Sequence, residues 1–190
     1  MLPQSLPFAA LWLSFWVLSN LDFMIPSRRL RLAVLFLVLG FAVGCDQTSK
    51  HMARMRLSQP GFVTVPGGIA ELALADNPGS FLSLGAFFPK PLRLALFTVG
   101  IGAALILLFA YIVRHPKLDW ASFVGLALVS AGGMSNLIDR ITRHGFVTDF
   151  ILIRVGPLHT GIFNLADVVI VTGVATLACG VGKRRRSFAN

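Results

Sequence analysis

The few acidic side chains of this chain lie where an apolar sequence would be expected to exclude them. The 190 residues contain eight Asp and Glu in total. Asp46, Asp139, Asp149 and Asp167 all fall within or beside long apolar stretches. A charged group in such a place costs several kcal/mol unless it is paired, hydrated or neutralised. We therefore expect this group of acids to have a function.

The spacing of two of these acids indicates how they are oriented. Asn136 precedes Asp139 by three residues, and Asn164 precedes Asp167 by three, so each amide shares a helix face with its acid. Asp149 begins a further apolar stretch between them. Two carboxyl groups in a partly dry site do not both ionise easily, so one keeps a proton near neutral pH. A carboxylate and a carboxylic acid that share a water can hydrolyse an amide.

Structural interpretations of the same residues remain open at this point. Asp139 beside Arg140 is better explained as an ion pair at a helix end than as a catalytic acid. Asp46 and Lys50 are four residues apart, which suits a pair that stabilises one helix or bridges two. A cluster of acids could also serve proton or cation transport.

No metal or cofactor site is predicted. His144 and His159 flank a loop without the spacing of metal ligands, and we interpret them as loop residues. Cys45 and Cys179 lie within or at the edge of apolar segments, and we interpret both as small packing residues rather than reactive thiols.

The composition is that of a membrane protein. Hydrophobic residues make up 55% of the chain and charged residues 13%, against roughly 25% charged residues in soluble domains. The net charge of +9 comes from basic residues beside apolar segments, which indicates membrane orientation rather than nucleic-acid binding.

Four segments are apolar enough, and about 20 residues long, as a membrane span requires. They are Leu32 to His51, Leu92 to Val113, Trp120 to Ile138 and Gly161 to Val181. The small residues Ala131, Gly132 and Gly133 permit close approach of helix backbones, which would bring the third span against the fourth. The predicted fold is a mainly α membrane protein with four transmembrane helices.

Basic clusters predict the orientation of these spans. The clusters are Arg28 to Arg31, Arg114 with Lys117, and Lys183 to Arg186. Because Lys and Arg mark cytoplasmic loops, both termini are expected in the cytoplasm. The outer segment 52–91 contains β-branched residues and Gly and Pro turn signals, which predict a small β-sheet followed by an interfacial helix or loop.

We divide the chain into an amino-terminal extension, residues 1–27, a single four-helix domain, residues 28–186, and a tail, residues 187–190. The extension has an apolar run that contains Asp22. It is compatible with a helix lying on the membrane surface or with a start site assigned too early.

A second interpretation of the amino-terminal part takes Ala42 to Cys45 as the cleavage site of a lipoprotein precursor. Three long apolar segments after Cys45 disfavour it, since the remainder should then be soluble.

Five short motifs resemble, in order along the chain, those of lipoprotein signal peptidase, or signal peptidase II. They are DQTSK at Asp46 to Lys50, NPGSF at Asn77 to Phe81, GGMSNLIDR at Gly132 to Arg140, GFVTDF at Gly145 to Phe150, and FNLADV at Phe163 to Val168. Each motif alone is short, but five in order within four spans are specific.

The resemblance implies an intramembrane aspartic protease that cuts prolipoproteins just before a diacylglyceryl-modified cysteine, without a metal or other cofactor. It implies that Asp149 and Asp167 are the catalytic pair. It also implies a set of supporting or substrate-binding residues: Asp46, Lys50, Asn77, Asn136, Asp139, Arg140 and Asn164. The expected partners are prolipoprotein signal peptides and membrane lipids. The expected setting is a monomer in the bacterial cytoplasmic membrane, with its active site near the outer face.

Overall fold

Four helices dominate the parts of the chain that the computed structural model describes, which are residues 27–57, 63–65, 69–79 and 85–188. They are α1 (Arg28–Arg56), α2 (Lys90–Arg114), α3 (Trp120–Thr142) and α4 (Leu165–Phe188). The helices α1, α2 and α3 are long and apolar enough to cross a membrane, and α4 has an apolar part, Leu165–Gly180. The predicted helix or early start in residues 1–26, and part of the predicted interfacial loop, residues 80–84, lie outside the described residues.

Side-chain caps fix where α1 and α3 begin. The Ser27 hydroxyl accepts from the Leu30 amide at 3.3 Å, and the Asp119 carboxylate accepts from the Ser122 amide at 2.9 Å. Such caps satisfy amides that have no partner within the first helical turn. Asp119 thus caps α3, which begins at Trp120, where the sequence predicts it.

The fourth helix begins four residues later than the sequence predicts. Gly161 was expected to start the span, whereas α4 starts at Leu165. The reason is that the Phe163 backbone pairs with Ile151, donating to its carbonyl oxygen at 2.9 Å and accepting from its amide at 2.9 Å. Residues paired in this extended way cannot also form helical hydrogen bonds.

Two segments form a four-stranded antiparallel sheet. One segment lies between α1 and α2, and the other lies between α3 and α4. Its strands are β1 (Val63–Thr64), β2 (Ala70–Asn77), β3 (Val147–Val155) and β4 (Leu158–His159), in that order across the sheet. The predicted small sheet is therefore confirmed, but two of its strands come from the second segment, between α3 and α4. Ala75 lies opposite Asp149, and Asn77 lies opposite Val147, so the register brings Asn77 next to Asp149.

Glycines let α3 and α4 touch through their backbones. A Cβ atom on Gly132 would lie 2.5 Å from the Ala166 carbonyl oxygen, and one on Gly125 would lie 2.8 Å from that of Gly173. The predicted approach of the third and fourth spans is thus confirmed. Gly133 points elsewhere, since its Cβ would meet the Leu105 side chain of α2 at 2.8 Å.

A separate apolar cluster holds the opposite end of the helices together. It joins Leu35 of α1, Ile112 of α2, and Phe123 and Ala127 of α3, all of them buried. The interpretation of the two cysteines as packing residues is wrong, because both side chains are exposed on the surface of their helices. The outward faces of α1 and α4 carry them.

We predict that Gly132→Ala destabilises the protein. The added Cβ has no room beside the Ala166 carbonyl, so α3 and α4 must move apart, at a cost of about 1–3 kcal/mol. Unfolding of the detergent-purified protein would measure this loss. The matched control is Gly44→Ala, since a Cβ there meets nothing within 4 Å. Equal stability of the two variants would contradict the prediction.

Candidate active site

A buried lysine connects two helices through two acids. The Lys50 ammonium lies 2.7 Å from Asp46 Oδ2 and 3.2 Å from Asp139 Oδ2, and it donates to Asn136 Oδ1 at 2.8 Å. Lys50 and Asp46 are fully buried, and Asp139 is 1% exposed. The predicted pair of Asp46 and Lys50 is therefore confirmed as one that stabilises α1 and also bridges it to α3.

Asp46 also accepts hydrogen bonds that hold the start of α4 in place. Its Oδ1 accepts from the Ala166 amide at 2.8 Å, and its Oδ2 accepts from the Ser135 hydroxyl at 2.7 Å. A carboxylate near a helix amino terminus is stabilised by the exposed amides and the helix dipole. Asp46 thereby sets the position of α4 relative to α1 and α3.

Asp139 holds the start of β3 in a similar manner. Its Oδ2 accepts from the Thr148 amide at 2.9 Å, and its Oδ1 accepts from Gln47 Nε2 at 3.1 Å. The ion pair expected between Asp139 and Arg140 is not the one that forms, because Lys50 is the cation beside Asp139. Neighbouring residues on a helix point in different directions, which explains the difference.

Arg140 points to the segment that follows β2. Its Nη2 donates to the Gly79 carbonyl oxygen at 2.7 Å, and its Nη1 donates to the Asn136 carbonyl oxygen at 3.2 Å. The side chain is 5% exposed, and its buried Nε has no hydrogen-bond partner among the described residues. The Nε of Arg140 is therefore a donor that a bound molecule could use.

Asp149, at the third position of β3, is held by two asparagines. Asn77 Nδ2 donates to its Oδ2 at 2.9 Å, and Asn164 Nδ2 donates to its Oδ1 at 2.6 Å. The Asn77 Oδ1 in turn accepts from the Gly79 amide at 2.9 Å. Both carboxylate oxygens of Asp149 are thus fixed by neutral donors, and the residue is 2% exposed.

Asp167 and Asn164 cap the start of α4 reciprocally. The Asp167 amide donates to Asn164 Oδ1 at 3.0 Å, while the Asn164 amide donates to Asp167 Oδ2 at 3.2 Å. This arrangement is a capping box, and it confirms the orientation expected from the three-residue spacing. The same Asn164 side chain contacts Asp149, so one residue links both acids.

Asn136 departs from the role that its spacing indicates. It was expected to orient Asp139, but its Nδ2 donates across the helix interface to Asp167 Oδ1 at 3.0 Å. Its Oδ1 accepts from Lys50 at 2.8 Å and from Asn164 at 3.2 Å. Because both partners of that oxygen are donors, the amide orientation of Asn136 is determined.

Burial changes the acidity of the strand carboxyl. Removal from water raises the pKa of Asp149 to about 6, from an ordinary value of 3.8. The hydrogen bonds from Asn77 and Asn164 oppose this rise, whereas the negative charge of Asp167 adds to it. Asp149 therefore titrates close to neutral pH, where an acid–base catalyst works best.

The two acids lie at the polar end of a cavity of about 660 Å³. Its polar lining consists of Asn77, Asn136, Arg140, Asp149, Asn164 and Asp167. Its apolar lining comes from α2, α3 and α4, and includes Leu105, Leu108, Val129, Ile170 and Val174. Such a site can hold a polar reacting group beside the acids and an apolar chain between the helices.

All nine predicted site residues come together, as one cluster around Lys50 and one around the cavity. Three residues that the sequence does not predict for the site, Gln47, Ser135 and Thr148, contact Asp46 or Asp139. All three belong to the recognised motifs, but nothing in the sequence predicts the Thr148 backbone amide as a donor. Within the described ranges, His, Cys, Asp and Glu form no group suited to a metal ion.

We predict that Lys50→Met destabilises the protein strongly. It leaves Asp46 and Asp139 buried without the cation between them, at a cost of about 3–5 kcal/mol. Denaturant unfolding in detergent would measure the loss. Adding Asp46→Asn and Asp139→Asn should restore most of it.

The control for the Lys50→Met variant is Arg154→Gln on β3. That variant breaks a partly exposed ion pair, in which Arg154 Nε lies 2.8 Å from Glu71 Oε1, and should cost about 1 kcal/mol or less. Similar losses in both variants would mean that burial of the lysine cluster is unimportant for stability.

We predict a pH-dependent difference in stability between the parent and Asp149→Asn. The folded pKa of Asp149, about 6, exceeds the ordinary value of 3.8, so the folded state binds more protons between these values. The free energy of unfolding of the parent should then fall, relative to the variant, by up to about 3 kcal/mol from pH 4 to pH 7. Unfolding curves at several pH values would test this.

A non-titrating substitution, Ser130→Ala, serves as the control for pH. Its stability difference from the parent should stay constant over the same range. A constant difference for Asp149→Asn as well would show that the acidity of this carboxyl is unchanged by folding.

Comparison with known proteins identifies the family. The model of the family described as signal peptidase (SPase) II matches residues 10–181. The lipoprotein signal peptidase of Pelotomaculum thermopropionicum is 34% identical over 144 residues, covering 76% of this chain and 88% of that protein. That of Streptomyces coelicolor is 37% identical over 157 residues, covering 78% of this chain and 71% of that protein.

The fold also matches solved structures. A bacterial membrane enzyme solved by the in meso method at 2.3 Å resolution gives a TM-score of 0.69 at 22% identity, covering 80% of this chain and 88% of the other. A second, at 1.9 Å, gives 0.68 at 23% identity, covering 78% and 92%. The family match extends well to both sides of Cys45. The chain belongs to the signal peptidase II family.

Proposed function

We propose that Asp149 and Asp167 are the catalytic pair with which this chain removes signal peptides from prolipoproteins, the activity that its family membership carries. One observation supports the pair above all. Both carboxyl groups line the same cavity, and asparagine side chains hold both. Asp46 and Asp139, by contrast, are ion-paired with Lys50.

In the proposed mechanism the two acids share one proton and bind a water between them. The ionised acid takes a proton from the water, whose oxygen attacks the carbonyl carbon of the scissile bond. The protonated acid polarises the carbonyl oxygen, and a proton then passes to the departing amine as the C–N bond breaks. The pair titrates as a unit, so activity reports apparent pKa values of both acids together.

The shape of the cavity supports a substrate with a long apolar part. The proposed scissile bond precedes a diacylglyceryl-modified cysteine, and the apolar walls formed by Leu105, Val129 and Val174 suit acyl chains or an apolar signal peptide. Placing the bond at the polar end brings it within reach of Arg140. Its unused Nε is suited to donate to a backbone carbonyl of the substrate.

The proposed membrane arrangement has four spans, with α4 as the fourth. The apolar part of α4 packs its backbone against α3 through Gly173. Arg28 and Arg114 lie at one end of the helices and the sheet at the other, which supports cytoplasmic termini by the positive-inside rule. The active site then lies near the outer face of the bacterial cytoplasmic membrane, in a monomer whose peptidase domain comprises residues 28–186.

We predict that Asp149→Asn and Asp167→Asn each abolish cleavage. An amide can neither accept the proton from water nor donate one to the leaving amine, so turnover should fall by at least about a thousandfold. The measurement is cleavage of a diacylglyceryl-modified prolipoprotein by purified protein in nanodiscs. Unfolding curves would verify that both variants are folded.

The matched control is Asp76→Asn, the same change at an exposed residue of β2 adjacent to Asn77. Asp76 pairs with Arg143 at 2.8 Å and does not line the cavity, so cleavage should stay within about twofold, since exposed pairs contribute little. Full activity of either cavity variant would refute the assignment of that acid. An unmodified prolipoprotein that is cut equally well would refute the role of the lipid.

A further inference from the structure

A buried arginine at the end of the helices opposite the active site has unused hydrogen-bond donors. Arg31, in the first turn of α1, is 7% exposed. Its Nε and Nη1 are buried and have no hydrogen-bond partner among the residues that the structure describes. A buried cationic donor without an acceptor is costly, so the site favours an anion that supplies one.

The surroundings of Arg31 satisfy its charge only in part. Its guanidinium carbon lies 5.4 Å from the ring centroids of both Trp120 and Phe123. These cation–π contacts stabilise the charge and fix the plane of the group, but aromatic faces supply no acceptor oxygen. The two buried donors therefore remain without an acceptor and are held in a fixed plane.

Arg31 lines a crevice of about 10 Å³, together with Arg28, Leu32, Pro116 and others. That volume accommodates about one oxygen atom. Pro116 also lines a wider concavity of about 380 Å³, formed with Arg114, Lys117 and their neighbours. One oxygen of an anion can enter the crevice while the rest of the molecule occupies the concavity.

Charge at this end of the helices favours the same occupant. Arg28, Arg114 and Lys117 are exposed around the two openings. The amino terminus of α1 adds partial positive charge from its first amides. The nearby acid Asp119 is already used to cap α3, accepting from the Ser122 amide at 2.9 Å.

We propose that this crevice binds the headgroup phosphate of an anionic membrane lipid. One phosphate oxygen accepts from Nε or from Nη1 of Arg31, in a charge-assisted hydrogen bond between a guanidinium and a phosphate. The headgroup lies in the concavity beside Arg114 and Lys117. The exposed apolar side chains of Phe36 and Tyr111 lie along the adjoining helices, where acyl chains can contact them. Basic pockets between membrane helices bind anionic headgroups in this way.

The experiment compares lipid binding by three variants in nanodiscs. Arg31→Met keeps the apolar stem over the aromatic rings but removes the donors. Arg28→Gln changes an exposed residue that lines the crevice, and Arg29→Gln removes the same charge from an exposed residue that does not. The readout is the rise in unfolding temperature when phosphatidylglycerol replaces part of the phosphatidylcholine, with native mass spectrometry counting retained lipids.

We expect phosphatidylglycerol to stabilise the parent and Arg29→Gln to nearly the same extent. Arg31→Met should bind the lipid about tenfold more weakly, as loss of a charge-assisted hydrogen bond implies, and Arg28→Gln should be intermediate. If Arg31→Met does not fold, the comparison of Arg28→Gln with Arg29→Gln still tests the proposal. Of these two residues, Arg28 lines the crevice and Arg29 does not.

Two outcomes would overturn the proposal. Equal losses in all three variants would mean general attraction between basic residues and an anionic surface. Equal stabilisation of the detergent-solubilised parent by millimolar inorganic phosphate would mean a site for free anions rather than for a lipid. Neither readout depends on peptidase activity, so the test is independent of the catalytic assignment.

Discussion

The buried ammonium of Lys50 is the interaction on which the arrangement of the active site depends. It lies between Asp46 of α1 and Asp139 of α3. Each of these acids then accepts from a backbone amide of another element, α4 for Asp46 and β3 for Asp139. Without the cation, two buried carboxylates would repel each other, and each would face a large desolvation cost. A single positive charge thus allows two acids to position four elements.

Close backbone packing completes this arrangement. The carboxylate of Asp46 can reach the Ala166 amide only if α4 lies near α1 and α3. The lack of a side chain at Gly132 permits that approach, because the Ala166 carbonyl occupies the space that a Cβ would need. The sheet positions Asp149 in the same way as helix packing positions Asp46. Antiparallel pairing of β2 with β3, and of Phe163 with Ile151, fixes the strand relative to the start of α4.

Much of this organisation could be predicted from the sequence because it depends on local patterns. Apolar length predicts the spans, and Gly132 predicts where α3 and α4 meet. The i, i+4 spacing predicts the pair of Asp46 and Lys50. Individual side-chain contacts between distant segments could not be predicted from spacing. Sequence proximity predicts a pair of Arg140 with Asp139, whereas the side chains of adjacent helical residues diverge. It also predicts that Asn136 orients an acid of its own helix, whereas Asn136 donates to Asp167 on another.

The position of the lysine also explains why four buried acids divide into two pairs of different chemistry. Asp46 and Asp139 contact a full positive charge at 2.7 and 3.2 Å. Asp149 receives its two side-chain hydrogen bonds from neutral amides. An amide orients a carboxylate without neutralising it, so burial raises the pKa of Asp149 to about 6. Asn136 stands between the two pairs, accepting from Lys50 and donating to Asp167. Lys50 is thereby linked to the proposed catalytic acids through the side-chain amide of Asn136, whose orientation is determined. This link keeps the geometry of the site rigid while leaving a proton free to move.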